Sequence, residues 1–513
     1  MEEIEDKKIC LDNLGDYNFL IEGDNLHSLL LLQEVYRKKI GVIYIDPPYN
    51  TGNDDFVYND KKIDKTDMFR HSKWLSFMNR RLRIAKELLA DDGVIFISID
   101  DNEQAQLKLL CDDIFGEDNF ISQIAWKKSN ARKKDSRYLS SDVEYIYVYS
   151  KNKDYVYLNR EIQHIDDYKY CDEYADTRGY YKLDKLDRAS LTYSKSLDYA
   201  IKAPDGTNIY PGGSEKAFVN RQQGKAKTKD WCWRWSLSKL EWGIKNGFIV
   251  IQQDKEGVWK VYSKQYEFVD NKGNAQIRSL PYSNYIDFVV TSAGTKELKD
   301  VIGDNNFLYP KSSSLIKYLI GLCVNKDALV LDFFAGSGTT GQAVLELNKE
   351  DGGNHRFILC TNNENNICEN ITYERLRTVI TGKRKDNTVY SDGINANLKY
   401  YRCKMLNKNS DEDMFYDVKE ELCHYMRPLI ELETMQDYSN TDALLVLSED
   451  DILKVLSMTD IEISKYHVLY RYLKLELESS SYSLIIERFR KLGIKIKVID
   501  IPDRFYGKRW GIE

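Results

Sequence analysis

Asp46 is followed at once by Pro47, Pro48 and Tyr49 in the stretch IYIDPPYNTG, Ile43 to Gly52. Neither proline has an N–H to donate, and each holds φ near one value. Such a turn fixes where the Pro47 carbonyl points. A fixed carboxylate and a fixed carbonyl can accept the two hydrogens of an exocyclic amine such as adenine N6, which favours a pyramidal nitrogen with its lone pair free. Tyr49 adds a flat face on which a base rotated out of a duplex can stack. A second stretch, LDFFAGSGTTGQ (Leu331 to Gln342), sets Gly336, Gly338 and Gly341 in the G-x-G-x-x-G spacing. Glycines there let the backbone approach a ligand closely. Glu364 follows near the end of the next predicted strand, where a ribose-binding acid belongs. No G-K-[ST] follows, so the turn is not a P-loop. Alone it suits a nicotinamide dinucleotide as well as S-adenosylmethionine; a dehydrogenase, however, has no use for Asp46-Pro47-Pro48-Tyr49. A third stretch, WKKSNARKKDSR, carries Lys127, Lys128, Arg132, Lys133 and Lys134, and Ser122 to Arg160 holds nine Lys/Arg against four Asp/Glu. That surplus suits phosphate contact, or simply a solvated loop.

Both motifs have to end parallel strands, because open α/β sheets bind ligands at the carboxyl ends of their strands. Apolar runs predict strands at Asn18–Glu22 and Gly41–Ile45, with a helix over Asn25–Arg37 between them. Trp74, Met78, Leu82, Ala85 and Leu89 fall at helical spacing behind Ser72, an expected N-cap. Asp91-Asp92-Gly93 is expected to break that helix before a strand at Val94–Asp100. The alternation resumes near Tyr309 with a helix over Ser312–Val324, a strand in ALVLDFF, a helix over Thr340–Asn348 and a strand in HRFILCTNNE. Between about 129 and 303 the periodicity is lost. Of Trp231, Trp233 and Trp235 in that part, at least two are expected in a core. Beyond Asn387, DALLVL precedes SEDDILKVL, where Ser448 can cap with Asp451 three residues on. The helix Tyr482–Leu492 stops at Gly493 before the alternating IKIKVI. The predicted class is α/β: a doubly wound Rossmann-like sheet assembled from 1–128 and 304–386, an inserted domain at 129–303, and a small C-terminal α/β domain at 387–513.

Composition narrows the class. The chain has 513 residues, 42% apolar and 30% charged, with a formal net charge of −7. That length predicts two or three domains. The nine cysteines form no C-x-x-C pair and suit reduced thiols, hence a cytoplasmic protein. The six histidines make no ligand cluster with them, so no metal site is expected. No apolar run approaches the roughly 18 residues of a membrane span, and the charged start MEEIEDKKICLDN has no signal-peptide core.

DPPYNTG followed by FAGSGTTG resembles the β-group of amino-methyltransferases, in which the catalytic motif precedes the cofactor motif. GNDDFVYND, RHSKWLSFMNRRLRIAKELL, DDGVIFISIDDNE and LDFFAGSGTTGQAVLELNKEDGGNHRFIL are similar to the Mod subunit of type III restriction–modification systems. The resemblance covers roughly 18–380. It implies an adenine-N6 DNA methyltransferase that uses S-adenosylmethionine, binds double-stranded DNA, forms a homodimer and docks a helicase–nuclease restriction subunit. It implies that the insert 129–303 is the target-recognition domain. It gives Asp46, Pro47, Pro48 and Tyr49 the catalytic role, and Asp332, Phe333, Gly336, Ser337 and Gly338 the cofactor loop, with Asp332 facing the methionine amine. Asp24 would lie near the cofactor's adenine, though a helix N-cap explains it equally well. Lys311 and Ser312, in YPKSSSLIKYLI, would hold the methionine carboxylate; many members carry a second proline where Ser312 stands. EYIYVYSKN matches the segment lining the target-base pocket, which would bring Tyr147 or Tyr149 to the base, unless both are simply core tyrosines. Three alternatives stay open: an N4-cytosine DNA methyltransferase, an NAD-binding oxidoreductase, and a non-catalytic DNA-recognition subunit.

Overall fold

The computed structural model describes residues 1–11, 15–52, 57–58, 61–62, 66–131, 137–162, 168–276, 279–305, 307–404, 425–472 and 482–501. The chain folds into two compact units, one of residues 1–159 with 283–513 and one of Arg160–Tyr282.

The first unit is built on a ten-stranded sheet. In chain order its strands are β1 (Glu2–Glu3), β2 (Asn18–Glu22), β3 (Ile40–Ile45), β4 (Leu89–Ile99), β5 (Phe120–Lys127), β6 (Val143–Ser150), β7 (Tyr285–Ile286), β8 (Leu329–Asp332), β9 (Arg356–Thr361) and β10 (Leu398–Arg402). Their spatial order is β1-β10-β2-β9-β8-β3-β4-β6-β5-β7. The run β10-β2-β9-β8-β3-β4 is parallel, and β6 pairs antiparallel with both β4 and β5. Parallel strands covered on both faces read as continuous apolar runs, and β3 shows why. Ile43 and Ile45 enter one core with helices α1 (Asn25–Tyr36), α2 (Arg70–Leu88) and α3 (Gln104–Phe115). Val42 and Tyr44 enter the other, with α5 (Ser313–Gly321) and α6 (Thr339–Asp351); α4 (Thr291–Ile302) precedes these in the chain, and α7 (Glu374–Thr381) packs on the same face. Each large apolar side chain so buried contributes roughly 1.5–3 kcal/mol. The segment after β3 leads into α2 on one face and the turn after β8 leads into α6 on the other. The β3–β8 boundary is therefore a topological switch point, where such sheets hold ligands.

Several local features depart from the sequence pattern. α2 begins at Arg70 with Phe69 at its N-cap, so Ser72 lies inside the first turn; Asp67 organises this entry by accepting from the Phe69 N–H at 2.8 Å. The helix ends at Leu88 and β4 starts at once. Asp91, Asp92 and Gly93 thus lie in the strand, at an irregular step in the β3–β4 pairing. Strand β10 lies beyond Asn387 yet completes the main sheet beside β2, and β5, β6 and β7 extend the same sheet from within 120–286.

The rest of the first unit is a three-stranded parallel sheet, Ala443–Val446, Val468–Tyr472 and Lys497–Ile501. Helix Glu449–Ser457 covers it and opens with a capping box between Ser448 and Asp451. Helix Tyr482–Lys491 is followed by Gly493 at φ 69°. Helix Met426–Thr434 bridges this part to α1: the Tyr36 hydroxyl of α1 donates to its Leu432 carbonyl, and Tyr470 of the small sheet donates to its Glu433 at 2.7 Å.

The second unit, 160–282, holds an antiparallel sheet of Tyr181–Lys185, Trp259–Tyr266 and Ile249–Gln253, with helix Leu237–Lys245 capped by Ser236. Trp233 and Trp235 are buried with Leu186, Leu240, Phe248 and Tyr266, while Trp231 is 39% exposed. Inside the unit Arg221 grips Asp198 through two hydrogen bonds of 2.9 and 3.1 Å, a buried pair that satisfies itself.

Candidate active site at the ends of β3 and β8

Asp46 follows the last residue of β3. Its turn is clamped by Trp74 of α2, whose indole N–H donates to the Pro48 carbonyl at 2.7 Å. Trp74 is fully buried. The apolar stripe of α2 therefore fixes the proline turn as well as filling the core. Asn50 takes a left-handed conformation (φ 56°), and its amide donates to Glu103, which also binds His71 Nδ1 at 2.7 Å.

The Asp46 carboxylate is not alone. Lys311 Nζ lies 3.0 and 2.9 Å from its two oxygens and 2.9 Å from the Tyr49 hydroxyl; that hydroxyl donates to Asp46 Oδ1 at 2.7 Å. Glu144, at the start of β6, closes the group. Its Oε2 lies 3.7 Å from Lys311 Nζ and 3.4 Å from the Tyr49 oxygen, while its Oε1 lies 3.4 Å from Lys128 Nζ. Burial alone would lower the Lys311 pKa, but Asp46 and Glu144 outweigh it and hold it above its ordinary value. Burial, then Asp46 and Glu144, push the Tyr49 phenol well up, so it is a neutral donor.

The turn after β8 is ordered differently. Gly336 (φ 49°) and Gly338 (φ 76°) both adopt conformations that favour glycine. A Cβ on Gly338 would lie 3.1 Å from Thr372 Cγ2. Asp332 is buried, and its oxygens accept from the Phe334 N–H at 2.9 Å and the Thr340 hydroxyl at 2.5 Å. Burial pushes its carboxyl up to about 7 against those two bonds. Among the described residues no cationic side chain pairs with it. Ser337 is held by Arg375 of α7, fully buried, which also binds Thr339 at 2.7 Å, Gln342 at 2.7 Å and the Glu297 carboxylate. Glu297 in turn accepts from the Ser312 hydroxyl at 3.2 Å and the Ser313 N–H at 3.0 Å. The Lys311 carbonyl accepts from Thr339 at 3.1 Å. One network thus joins the 311–313 segment to the glycine turn.

The structure brings together Asp46, Pro47, Pro48, Tyr49 and Lys311 on one side and Asp332, Phe333, Gly336, Ser337 and Gly338 on the other. Lys311 differs from expectation in that its ammonium faces Asp46. The Ser312 hydroxyl is taken up by capping α5 and by Glu297. Asp24 is the N-cap of α1, accepting from the Leu26 N–H at 2.8 Å, with Arg81 at 3.5 Å from its other oxygen. Glu364 is exposed just past β9. Tyr147 and Tyr149 depart from the base-pocket expectation. Both are buried in the core beside α3, and the Tyr149 hydroxyl donates to Asp112 at 2.7 Å. The reason is strand parity: Tyr145, Tyr147 and Tyr149 share one face of β6, while Glu144, Ile146 and Val148 share the other. Lys127 is half-buried at the end of β5, Lys128 pairs with Glu144, and Arg132, Lys133 and Lys134 lie outside the described residues. Sequence reasoning missed Glu144 and Arg375. Glu144 is a charged residue near the start of an otherwise apolar strand, which is the one signal it leaves; Arg375, among Glu374 and Arg377 on a polar helix, leaves none.

The family model described as DNA methylase matches residues 40–374, which spans both motifs. The chain belongs to the DNA methylase family. Among curated relatives it is 33% identical over 441 residues to the type III restriction–modification enzyme StyLTI Mod subunit of Salmonella typhimurium, covering 76% of this chain and 61% of that one. It is also 32% identical to the type II methyltransferase M.KpnI of Klebsiella pneumoniae, over 69% of this chain and 82% of that one. A solved structure, the M1.HpyAVI–SAM complex, aligns over 70% of this chain and 98% of its own at 15% identity, with a TM-score of 0.32, too low to place any residue. The chain thus spans about three fifths of the length of its type III relative. Among the described residues no helix of this DNA methylase is long and apolar enough to cross a membrane.

Proposed function

We propose that this chain is an S-adenosylmethionine-dependent DNA methyltransferase that modifies adenine N6 in duplex DNA. The observation that carries the reading is the pairing, across the β3–β8 switch point, of a proline-stiffened Asp46 with a glycine turn that closes on buried Asp332. Asp332 suits the cofactor. A buried carboxyl raised to about 7, supplied with neutral donors and no cation, is completed by an ammonium such as the methionine amine. Gly336 and Gly338 allow the left-handed turn that packs against Phe307 and Thr372, and the exposed carboxylate of Glu364, just past β9, suits ribose hydroxyls. When bound, the cofactor supplies a methyl group on a sulfonium sulfur; the amine forms the new N–C bond as the C–S bond breaks, and S-adenosylhomocysteine leaves. The chain's part is positioning. Asp46 accepts one N6 hydrogen and the Pro47 carbonyl the other, Trp74 holds the turn rigid, and Tyr49 stacks on the extruded base. The methylated nitrogen is acidic enough to shed its proton without a strong base.

The name of the 33%-identical relative supports a place as the Mod subunit of a type III restriction–modification system; target recognition by the same chain, a homodimer and a helicase–nuclease partner are the parts of the proposal that rest on the resemblance alone. The second unit, 160–282, has its own core and contributes none of the residues described at the β3 and β8 ends, which suits target recognition. Exchanging 160–282 for the same unit of a relative should change the methylated sequence and keep the reaction; an unchanged site in the chimera places recognition elsewhere. Nucleoside mass spectrometry on DNA incubated with the chain and S-adenosylmethionine tests the reaction itself. N6-methyladenine is expected. N4-methylcytosine, or no methylated nucleoside with binding of NAD instead, overturns the assignment.

A further inference from the structure

Lys311 occupies both Asp46 oxygens, which the proposed function needs for the target amine. The Tyr49 hydroxyl already donates to one of them. An amine attacking a methyl sulfonium gains positive charge, and an ammonium a few ångströms away opposes that in a buried site. Lys311 itself cannot simply be expelled, because a buried cation without a partner is costly. Its side chain is 8% exposed.

We propose that Glu144 is the positioning residue that frees Asp46, taking over the Lys311 ammonium as the target base enters. The inference rests on the methyltransferase reading above and deepens it. Glu144 Oε2 is 3.7 Å from Lys311 Nζ, so a small swing of the lysine turns an ion pair into a direct hydrogen bond. Lys128 holds the other Glu144 oxygen at 3.4 Å, which fixes the receiving carboxylate. The rings of Tyr49 and Trp126, 5.0 and 5.7 Å from Nζ, keep the cation against aromatic faces. The Tyr49 hydroxyl lies 2.7 Å from Asp46 and 3.4 Å from Glu144, so the two carboxylates share one donor. Glu144 sits 14% exposed on a strand face whose next members are Ile146 and Val148. Burying a carboxylate on that face stabilises nothing unless it has a cation to hold.

The test measures tritium transfer from S-adenosyl-[methyl-3H]methionine to DNA from a methylation-deficient bacterial host, together with cofactor Kd by calorimetry. It uses the full chain as wild type, Glu144→Gln, Lys311→Met and the double variant. Glu144→Gln should lower kcat at least tenfold with cofactor Kd within about twofold. The double variant, with no ammonium to move, should regain at least fivefold over Glu144→Gln. Should Glu144→Gln fail to fold, the double variant and Lys311→Met are compared: equal rates are expected, and a tenfold slower double contradicts the exchange. Glu144→Gln at the wild-type kcat, or a double variant as slow as Glu144→Gln, overturns the inference alone. A wild-type chain that transfers no methyl group overturns the methyltransferase reading and this inference with it.

Discussion

Asp46 and Asp332 follow or end neighbouring parallel strands, and the fold treats them in opposite ways. Asp46 receives a cation from the chain itself, Lys311, and a phenol donor. Asp332 receives a hydroxyl and an amide, and burial lifts its carboxyl to about 7. A paired carboxylate is ready to use, but its partner has to be moved first. An unpaired one is costly to the folded chain and is completed by whatever cation binds. Under the proposed function the difference suits them to separate tasks: Asp46 to the incoming amine, Asp332 to the cofactor.

Removing the charge of Asp332 is the stronger way to break that comparison. Asp332→Asn should weaken S-adenosylmethionine binding by about 10–100-fold at pH 8, as expected for losing a charge-assisted bond worth roughly 1.5–3 kcal/mol. Calorimetry should also show wild-type affinity falling as pH drops through about 7, while the variant stays flat. The sign for stability runs the other way. The folded carboxyl binds its proton more readily than the unfolded one, so its contribution to stability declines as pH rises from about 4 to about 7. The cofactor-free variant should therefore melt higher than wild type at pH 8. A lower Tm with unchanged affinity would contradict the role given to Asp332.

A smaller effect sharpens the comparison from outside the site. Tyr149→Phe deletes a hydroxyl that meets Asp112 and neither Asp46 nor Asp332. It should cost about 1 kcal/mol in denaturant unfolding and leave methyl transfer within twofold. A tenfold loss of transfer at unchanged stability would restore Tyr149 to the base pocket.

Local features were legible in the sequence. The apolar runs predict β2 and β3 to within a residue, and the Ser448–Asp451 capping box forms as its spacing implies. Both motifs fall at strand ends, since glycine and proline state their geometry within a few residues. What was hidden is long-range or depends on parity. Lys311 reaches Asp46 across 265 residues of chain, and nothing local states which way its ammonium turns. The β6 tyrosines were placed by resemblance, whereas one step of strand parity decides that Glu144 enters the site and Tyr147 and Tyr149 do not. Arg375 looks like a surface residue of an amphipathic helix until the glycine turn closes over it.

The most direct test of the separation is Asp46→Ala, with cofactor Kd by calorimetry and methyl transfer to DNA measured on the same preparation. The account predicts that transfer is abolished while cofactor affinity stays within about tenfold, roughly 1.4 kcal/mol. Asp46→Ala protein that methylates DNA at the wild-type rate would contradict it.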